Sequence, residues 1–221
     1  IAAHPDDEVL GCGGTLAMLS ARGVPVDVIF LADGENARHA ASKEKISKRR
    51  AAARNAGKIL SLRSMHFLDF PDNRLDSVPR LEIIQAVEAR IEELNTRHIF
   101  SHTRWDVNID HQIAHEVAIT VARPSRNAER QILSLNFFEV LSSSEWRPQL
   151  HGGQFNPTCF IDVEKWLEVK LQALKCYEEE LRAAPHPRSE IIVRAQCVLR
   201  GSQSGLRAAE AFELGRLIIP N

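Results

Sequence analysis

Hydrophobic and polar positions follow two different periods along the chain, in alternating blocks. Short apolar runs rich in β-branched and aromatic residues predict buried strands, and longer stretches with an apolar residue every three or four positions predict helices. The predicted strands cover residues 1–3, 26–31, 66–70, 98–101, 135–140 and 160–163. A glycine-rich helix is predicted after residue 8, further helices at 42–60, 81–94, 113–122, 164–181 and 189–200, and a helix or strand at 206–219.

This alternation of strands and helices with short connections predicts an α/β fold. We expect a Rossmann-like three-layer arrangement, in which a mostly parallel sheet is flanked by helices. No repeat or low-complexity linker divides the sequence, so residues 1–221 are predicted to form a single domain. The C-terminal part, from about residue 145 to residue 221, is expected to close over the functional site.

Composition narrows the class of protein. Hydrophobic residues make up 44% of the chain and charged residues 26%, with a net charge of −1. Such a balance, without a basic tract, gives no electrostatic case for binding nucleic acid or an anionic membrane. No apolar run approaches the roughly 18 residues of a membrane span, and no signal peptide is visible.

The cysteines and the first residues bear on location. The four cysteines are widely spaced and form no C-x-x-C pair, which favours free thiols and a cytoplasmic protein. The chain begins inside a predicted strand, so a few further residues are expected upstream. The sequence leaves the oligomeric state open, including a homo-oligomer.

The segment from residue 4 to residue 8 carries the densest chemistry. It reads His4-Pro5-Asp6-Asp7-Glu8, an imidazole and three carboxylates around a proline. Proline ends a strand, and carboxylates favour the start of a helix. Because capping needs only one carboxylate, the surplus predicts a metal or catalytic site. The carboxyl end of a strand is where open α/β sheets bind their ligands.

Two other polar loops, residues 33–36 and 102–111, also follow predicted strands and should converge with this segment. A hydrolytic zinc site needs about three protein ligands and an open position for water. His4, Asp7 and His111 supply that number of ligands. The sequence therefore predicts a Zn²⁺ site, although nitrogen and oxygen donors without thiolate also suit Mn²⁺, Fe²⁺ or Co²⁺.

The chain resembles the PIG-L/LmbE-like family of metal-dependent de-N-acetylases of N-acetylglucosamine-type sugars. The residues that carry the resemblance are His4-Pro5-Asp6-Asp7-Glu8, then Gly11-Cys12-Gly13-Gly14-Thr15, and Asp110-His111 about a hundred residues later. The resemblance covers most of the chain. It implies that His4, Asp7 and His111 bind the metal and that Asp6 is the general base. It further implies a small-molecule N-acetylated sugar, or a conjugate of one, as the substrate.

Two departures from the family pattern concern proton transfer. Asn108 stands where the family often has a histidine; its amide can donate to an oxyanion but cannot shuttle a proton. The family often has a glutamate three residues after the arginine that corresponds to Arg49, whereas this chain has Ala52 at that position. The acid for the leaving amine is therefore Asp6 itself or another group. The other candidates are His102, His151 and His186.

The expected reaction is hydrolysis of an acetamide by a metal-activated water. Asp6 takes the proton of that water, and the metal with Asn108 stabilises the oxyanion. Asp110 either orients a neighbouring imidazole, as carboxylates behind metal ligands do, or caps the helix predicted from Gln112. Both roles are compatible.

Substrate contacts are predicted from composition alone. The candidates are Arg49, Asp72, His186 and Arg188. Arg49 would contact a hydroxyl or an anionic group, unless it is a surface arginine. Asp72 would bind sugar hydroxyls or merely turn the chain. His186 and Arg188 lie in a stiff, proline-flanked loop that is suited to a substrate lid.

Two rival functions remain. The sequence Gly11-x-Gly13-Gly14 could be a phosphate loop of a nucleotide-binding module, but its spacing differs from G-x-G-x-x-G and the preceding carboxylates would repel phosphate. Alternatively, the chain binds a metal without turnover, with Asn108 as the disabling change. The presence of Asp6 argues against this second rival.

Overall fold

The computed structural model describes residues 1–35, 42–124, 131–148 and 152–220. The helices are α1 (Asp7–Ala21), α2 (Lys43–Ile59), α3 (Arg80–Leu94), α4 (Ile109–Val121), α5 (Leu167–Lys175) and α6 (Glu190–Ser202). The strands are β1 (Asp27–Ala32), β2 (Ser64–Phe70), β3 (His98–His102), β4 (Ser134–Phe138), β5 (Cys159–Asp162) and β6 (Ala209–Leu217). Short 3₁₀ helices cover Leu75–Ser77 and Glu164–Trp166. The chain thus has a mixed α/β fold.

The strands form two sheets, and the prediction of a mostly parallel sheet is wrong. β1 and β2 form a parallel pair, while the second sheet has the order β3-β4-β6-β5. Within it β3 and β4 are parallel, but β6 is antiparallel to both β4 and β5. The sequence could not reveal this, because the two-residue period of a strand reports which side chains are buried and not the direction of its neighbour.

The first residues of the chain lie between the two sheets. The backbone N–H of Ala2 donates to Ile29 O at 2.9 Å, and Leu31 N–H donates to Ala2 O at 3.0 Å. The amino group of Ile1 donates to Phe100 O in β3 at 2.8 Å. The segment runs parallel to β1. Consequently the loops that follow residue 3, β1 and β3 open at one edge, as the sequence predicts.

Helices cover both faces of β1. Val28 and Phe30 pack into an apolar cluster with residues of α1 and α5. Ile29 and Leu31, which point to the opposite face, pack into a second cluster with residues of α3 and α4. Among the described residues, none of the helices has the length and apolar character to cross a membrane.

The glycines of α1 allow close packing against the sheet. A Cβ on Gly11 would lie 2.2 Å from the ring of Phe138, and one on Gly14 would lie 2.9 Å from Val163. The helix is interrupted at Cys12, whose φ of −148° and ψ of 20° are not helical. These glycines therefore serve the packing of a kinked helix.

The N–H groups exposed by this kink are already bound. Gly14 N and Thr15 N donate to the carboxylate of Glu210 at 2.9 and 2.7 Å. Lys170 Nζ donates to the same carboxylate at 2.6 Å, and all of these groups are buried. A phosphate would have to displace Glu210, so the geometry argues against the nucleotide-binding rival.

Two helices differ from the predicted bounds. The helix predicted at 164–181 begins as a 3₁₀ turn, and α5 ends at Lys175. Beyond that point the side chains of Tyr177 and Glu180 contact Glu8 and Arg49, which a continued helix would not direct there. The helix predicted from residue 113 begins earlier, at Ile109.

Candidate functional site

The three predicted metal ligands lie together at the shared edge of the strands. His4 follows the first segment, Asp7 opens α1, and His111 is in the first turn of α4. All three are buried, and each offers one ligand atom within 4.8 Å of the others. Asp7 Oδ2 lies 3.4 Å from His4 Nδ1 and 3.3 Å from His111 Nε2. The convergence of loops thus brings two imidazoles and a carboxylate into one cluster.

A carboxylate lies behind each imidazole of this cluster. His4 Nε2 is 2.9 Å from Asp110 Oδ2 and 3.1 Å from Asp72 Oδ1. His111 Nδ1 is 3.0 Å from Asp106 Oδ2. Carboxylates in this position fix the tautomer of a metal-binding histidine and raise its basicity.

The electrostatics of the cluster suit a cation. Burial alone would lower the pKa of His111, but the carboxylates of Asp7 and Asp106 raise it to about 9. Burial likewise opposes the charged form of His4, yet its hydrogen bonds to Asp110, Asp7 and Asp72 hold its pKa well above the usual 6.5. The surrounding negative charge therefore favours a positive charge at this position.

A buried atom of Asp7 supports the fit of a metal ion. Asp7 Oδ1 is buried and has no hydrogen-bond partner among the described residues. A buried carboxylate oxygen without a partner is costly unless a ligand binds it. Together with the imidazoles, it gives the borderline-hard donor set that Zn²⁺ and similar divalent metals accept.

A second group of side chains could also hold a metal: His4, Asp72 and Asp110. However, the carboxylate of Asp110 already accepts the backbone N–H of Asn73 at 2.6 Å and that of Leu75 at 3.0 Å. These bonds attach the loop before α3 to α4. Asp110 is therefore engaged with backbone donors, and His4, Asp7 and His111 are the better metal site.

Asp6, the predicted general base, has an unusual backbone. Its φ is 127°, a conformation that non-glycine residues rarely adopt. Asp6 N donates to Glu8 Oε2 at 3.0 Å, and Tyr177 OH donates to Glu8 Oε1 at 2.5 Å. Burial raises the pKa of Glu8 to about 8. Backbone strain held in place by buried partners is typical of functional sites.

The side chain of Asp6 meets two arginines. Arg188 Nη1 donates to Asp6 Oδ2 at 2.9 Å, and Arg49 Nη2 lies 3.4 Å from the same oxygen. Burial raises the pKa of Asp6 to about 6, against the opposing effect of Arg188 and Arg49. The carboxylate is thus adjacent to the candidate metal site and oriented by guanidinium groups.

The two arginines share a further partner, Glu180. Arg49 Nη1 contacts Glu180 and lies 3.5 Å from Glu35 Oε1, and its Nε donates to Pro5 O at 2.8 Å. Arg188 Nη1 lies 3.0 Å from Glu180 Oε2. Arg188, a residue of the C-terminal part, therefore reaches the predicted base, and the substrate lid stays a prediction.

The structure makes Asn108, and not Asp110, the N-cap of α4. Asn108 Oδ1 accepts Asp110 N–H at 2.8 Å, and its Nδ2 donates to Asn73 Oδ1 at 3.2 Å. The alternative role for Asp110, capping a helix from Gln112, is wrong because the helix begins earlier. Oxyanion stabilisation by Asn108 stays a prediction.

The histidines considered as acids occupy different positions. His102 is fully buried, and its Nε2 accepts Ala3 N–H at 2.9 Å. Burial holds its pKa well below the usual value, so it is neutral and poorly suited to protonating an amine. His186 Nδ1 accepts Arg188 N–H at 3.1 Å, and its ring lies 6.0 Å from that of Trp146. His151 and Asn36 lie outside the described residues.

Sequence reasoning missed several residues of this site. Asp106 accepts hydrogen bonds from Ser144 Oγ at 2.7 Å and from Asn108 N at 2.8 Å, besides contacting His111. Asp106 stands two residues before Asn108 and accepts its backbone N–H, which forms an Asx turn. This two-residue spacing was the only local signal for Asp106 in the sequence. Glu180 and Tyr177 carry no local signal, because their partners are far away in the chain.

A cavity of about 410 Å³ lies elsewhere, between the starts of β1 and β3. Its lining includes Leu16, Val26 and Ile99, and none of the predicted ligands. We assign no chemistry to it; the candidate metal ligands and Asp6 converge at the opposite edge of the strands.

Comparison with known proteins gives one family and several relatives. The family model described as PIG-L, GlcNAc-PI de-N-acetylase, matches residues 1–122. The diacetylchitobiose deacetylase of Thermococcus kodakarensis is 24% identical over 222 residues, which cover 96% of this chain and 80% of that protein. A probable N-acetyl-alpha-D-glucosaminyl L-malate deacetylase 2 of Bacillus cereus is 26% identical, covering 81% of each chain.

Among solved structures, GalB, the 4-carboxy-2-hydroxymuconate hydratase of Pseudomonas putida, matches with a TM-score of 0.78 at 20% identity. The match covers 100% of this chain and 96% of that one. It supports the fold, and the name of that enzyme indicates that the same fold also serves a reaction other than deacetylation.

Proposed function

Because the chain belongs to the PIG-L, GlcNAc-PI de-N-acetylase family, we propose that it is a metal-dependent hydrolase that removes the acetyl group from N-acetylglucosamine-type sugars or their conjugates. Its curated relatives are named deacetylases of N-acetylated sugars, which supports an N-deacetylase. We further propose that residues 1–221 act as one domain and that the metal is Zn²⁺.

The observation that carries the proposal is the cluster of His4, Asp7 and His111 beside the carboxylate of Asp6. A divalent metal bound by these three ligands would polarise the acetamide carbonyl and lower the pKa of a water. A carboxylate beside such a cluster is positioned to act as the general base of a metal-assisted amide hydrolysis.

Asp6 performs the proton transfers in this proposal. Its carboxylate accepts the proton of the attacking water, and Arg188 and Arg49 hold that carboxylate in one orientation. Proton abstraction of this kind contributes about 10²–10⁴-fold to a rate. Asp6 can then return the proton to the leaving amine, since His102 is neutral and bonded to backbone.

The remaining roles concern binding. Asn108 Nδ2 is a candidate donor to the oxyanion, and for this it must exchange its bond to Asn73 for one to substrate. Asp110 and Asp106 hold the imidazoles of His4 and His111 in their tautomers. His186 stays a candidate for contact with the sugar. So does Asp72, whose carboxylate is turned toward His4.

Acetate release from a panel of N-acetylated sugars tests the proposal. Protein loaded with Zn²⁺ should release acetate from at least one N-acetylglucosamine derivative, and Asp6→Asn should retain the metal while losing about 10²–10⁴-fold in kcat. A protein that binds Zn²⁺ stoichiometrically and deacetylates nothing in the panel would instead be the metal-binding rival. Loss of metal in Asp6→Asn would make Asp6 a ligand.

A further inference from the structure

Both arginines beside the predicted base are matched by carboxylates. Arg49 and Arg188 are the described cations that contact Asp6, and both are largely buried. Their carboxylate partners are Asp6, Glu35 and Glu180. Two positive charges thus face three negative ones. An anion at these guanidinium groups would therefore also meet the carboxylates that already contact them.

Glu180 is the partner common to the two guanidinium groups. It contacts Arg49 Nη1 through Oε1 and lies 3.0 Å from Arg188 Nη1 through Oε2. The side chain is 6% exposed, so water screens these charges weakly. A substrate group near Arg188 would therefore meet the negative charge of Glu180 as well as the positive charge of the arginine.

We propose that Glu180 makes this site select N-acetylated sugars whose attached group is uncharged, and reject those that carry a phosphate or carboxylate. The inference rests on the proposed deacetylase function and deepens it. The guanidinium group of Arg188, whose side chain is 19% exposed, can still donate to neutral hydroxyl or carbonyl oxygens. A phosphate in the same place gains no unpaired cation and faces Asp6, Glu35 and Glu180, an arrangement of like charges that specific sites use to exclude ligands.

The test compares two substrates that differ in charge at one position, methyl N-acetylglucosaminide and N-acetylglucosamine 1-phosphate. The Zn²⁺-loaded protein should show kcat/KM higher for the neutral sugar by on the order of tenfold or more. This ratio should change little with salt concentration, because the carboxylates responsible are buried and salt screens them weakly. Glu180→Gln removes the charge and keeps the shape, so it should lower the ratio by on the order of tenfold.

Glu179→Gln is the matched control. Glu179 is the neighbouring residue, its side chain is 47% exposed, and it pairs with Lys48 at the surface. Its substitution should leave the ratio unchanged. Glu35→Gln, which removes the second carboxylate near Arg49, should shift the ratio in the same direction as Glu180→Gln. It serves as the test if Glu180→Gln does not fold.

A binding measurement separates this inference from the function. Isothermal titration with the deacetylated products, methyl glucosaminide and glucosamine 1-phosphate, reports the preference for charge without turnover. Acetate release with equal preference for both substrates, or equal shifts in Glu180→Gln and Glu179→Gln, would overturn the inference and leave the deacetylase. The opposite outcome is a preference for the neutral product that Glu180→Gln reduces, without acetate release from any sugar. It would support selection by charge and argue against the deacetylase function.

Discussion

At the scale of single residues, Asp6 shows how buried partners hold the proposed general base in one conformation. A backbone with positive φ costs a non-glycine residue on the order of 1–3 kcal/mol. The cost is offset locally, because Asp6 N donates to Glu8 while Asp6 O accepts Val9 N–H at 3.1 Å and Leu10 N–H at 2.9 Å. The side chain of Asp6 is thereby directed at the arginines, and Tyr177 stabilises the whole arrangement through Glu8.

Tyr177→Phe is the variant that tests this support. It leaves the buried Glu8 without its hydroxyl donor, which should cost about 1–3 kcal/mol of unfolding free energy. We expect kcat to fall while zinc content is unchanged, as Tyr177 contacts none of the ligands. Urea unfolding, metal analysis and acetate release measure the three quantities; an unaltered kcat would show that Asp6 keeps its orientation without Tyr177.

Tyr177 is also a pH probe, since the chain has one tyrosine. Burial and the nearby Glu8 raise its pKa well above 10 in the folded protein. The folded state thus prefers the neutral phenol, so this stabilisation is complete below about pH 10 and is lost as the pH rises above that value. Tyrosinate absorbance should appear only together with alkaline unfolding. Its appearance in a protein that is still folded would contradict the burial of the phenol.

Residues of this site differ in how far the sequence alone could predict them. His4 and Asp7 stand in one short motif, and His111 opens the helix after β3, a strand whose carboxyl end lies at the same edge. Glu180 could not be predicted, because its contact with Arg49 depends on where α5 ends. A surface carboxylate and a buried one look alike in sequence.

At the scale of elements, the kinked α1 shows the same limit. Its glycines suggested a phosphate loop, yet a carboxylate from β6 takes the N–H groups at the kink. The spacing of apolar residues along the sequence predicted the position of most strands to within a few residues. They could not give the antiparallel direction of β6, because that direction depends on pairing partners that lie far along the chain.

Lys170→Met tests the buried pair beneath α1. It removes the cation from Glu210, and breaking a buried ion pair on one side costs about 3–5 kcal/mol. The control is Lys175→Met in the same helix, whose side chain is 57% exposed and which pairs with Glu190 at the surface. That change should stay within about 0.5 kcal/mol. Urea unfolding of both variants measures the difference, and similar midpoints would mean that Lys170 is not needed to neutralise Glu210.

At the scale of the whole molecule, the candidate site is formed by segments that lie far apart in the sequence. The first residues lie between β1 and β3, α4 brings His111, and the segment after α5 brings Glu180 and Arg188. Ligand binding to such a site should stabilise the entire fold, because it ties these segments together.

Thermal unfolding with and without Zn²⁺ tests this coupling. At a free metal concentration of 100 Kd, binding should add about 2.7 kcal/mol to the free energy of unfolding. His111→Ala should abolish the increment. His115→Ala, one turn further along α4 and bonded to His102 O, should lower the melting temperature while keeping the increment. An increment retained in His111→Ala would mean that the metal binds elsewhere.

The central position of β6 has a consequence for biogenesis. Glu210 binds Gly14 from 196 residues away, and β6 lies between β4 and β5. A nascent chain growing at roughly 5–20 residues per second exposes His4 and Asp7 to the cell for on the order of ten to forty seconds before this strand is synthesised. During that interval these two residues lack the completed scaffold around the candidate site. If the proposed metal binds at His4, Asp7 and His111, the complete site therefore forms only after β6 has been synthesised.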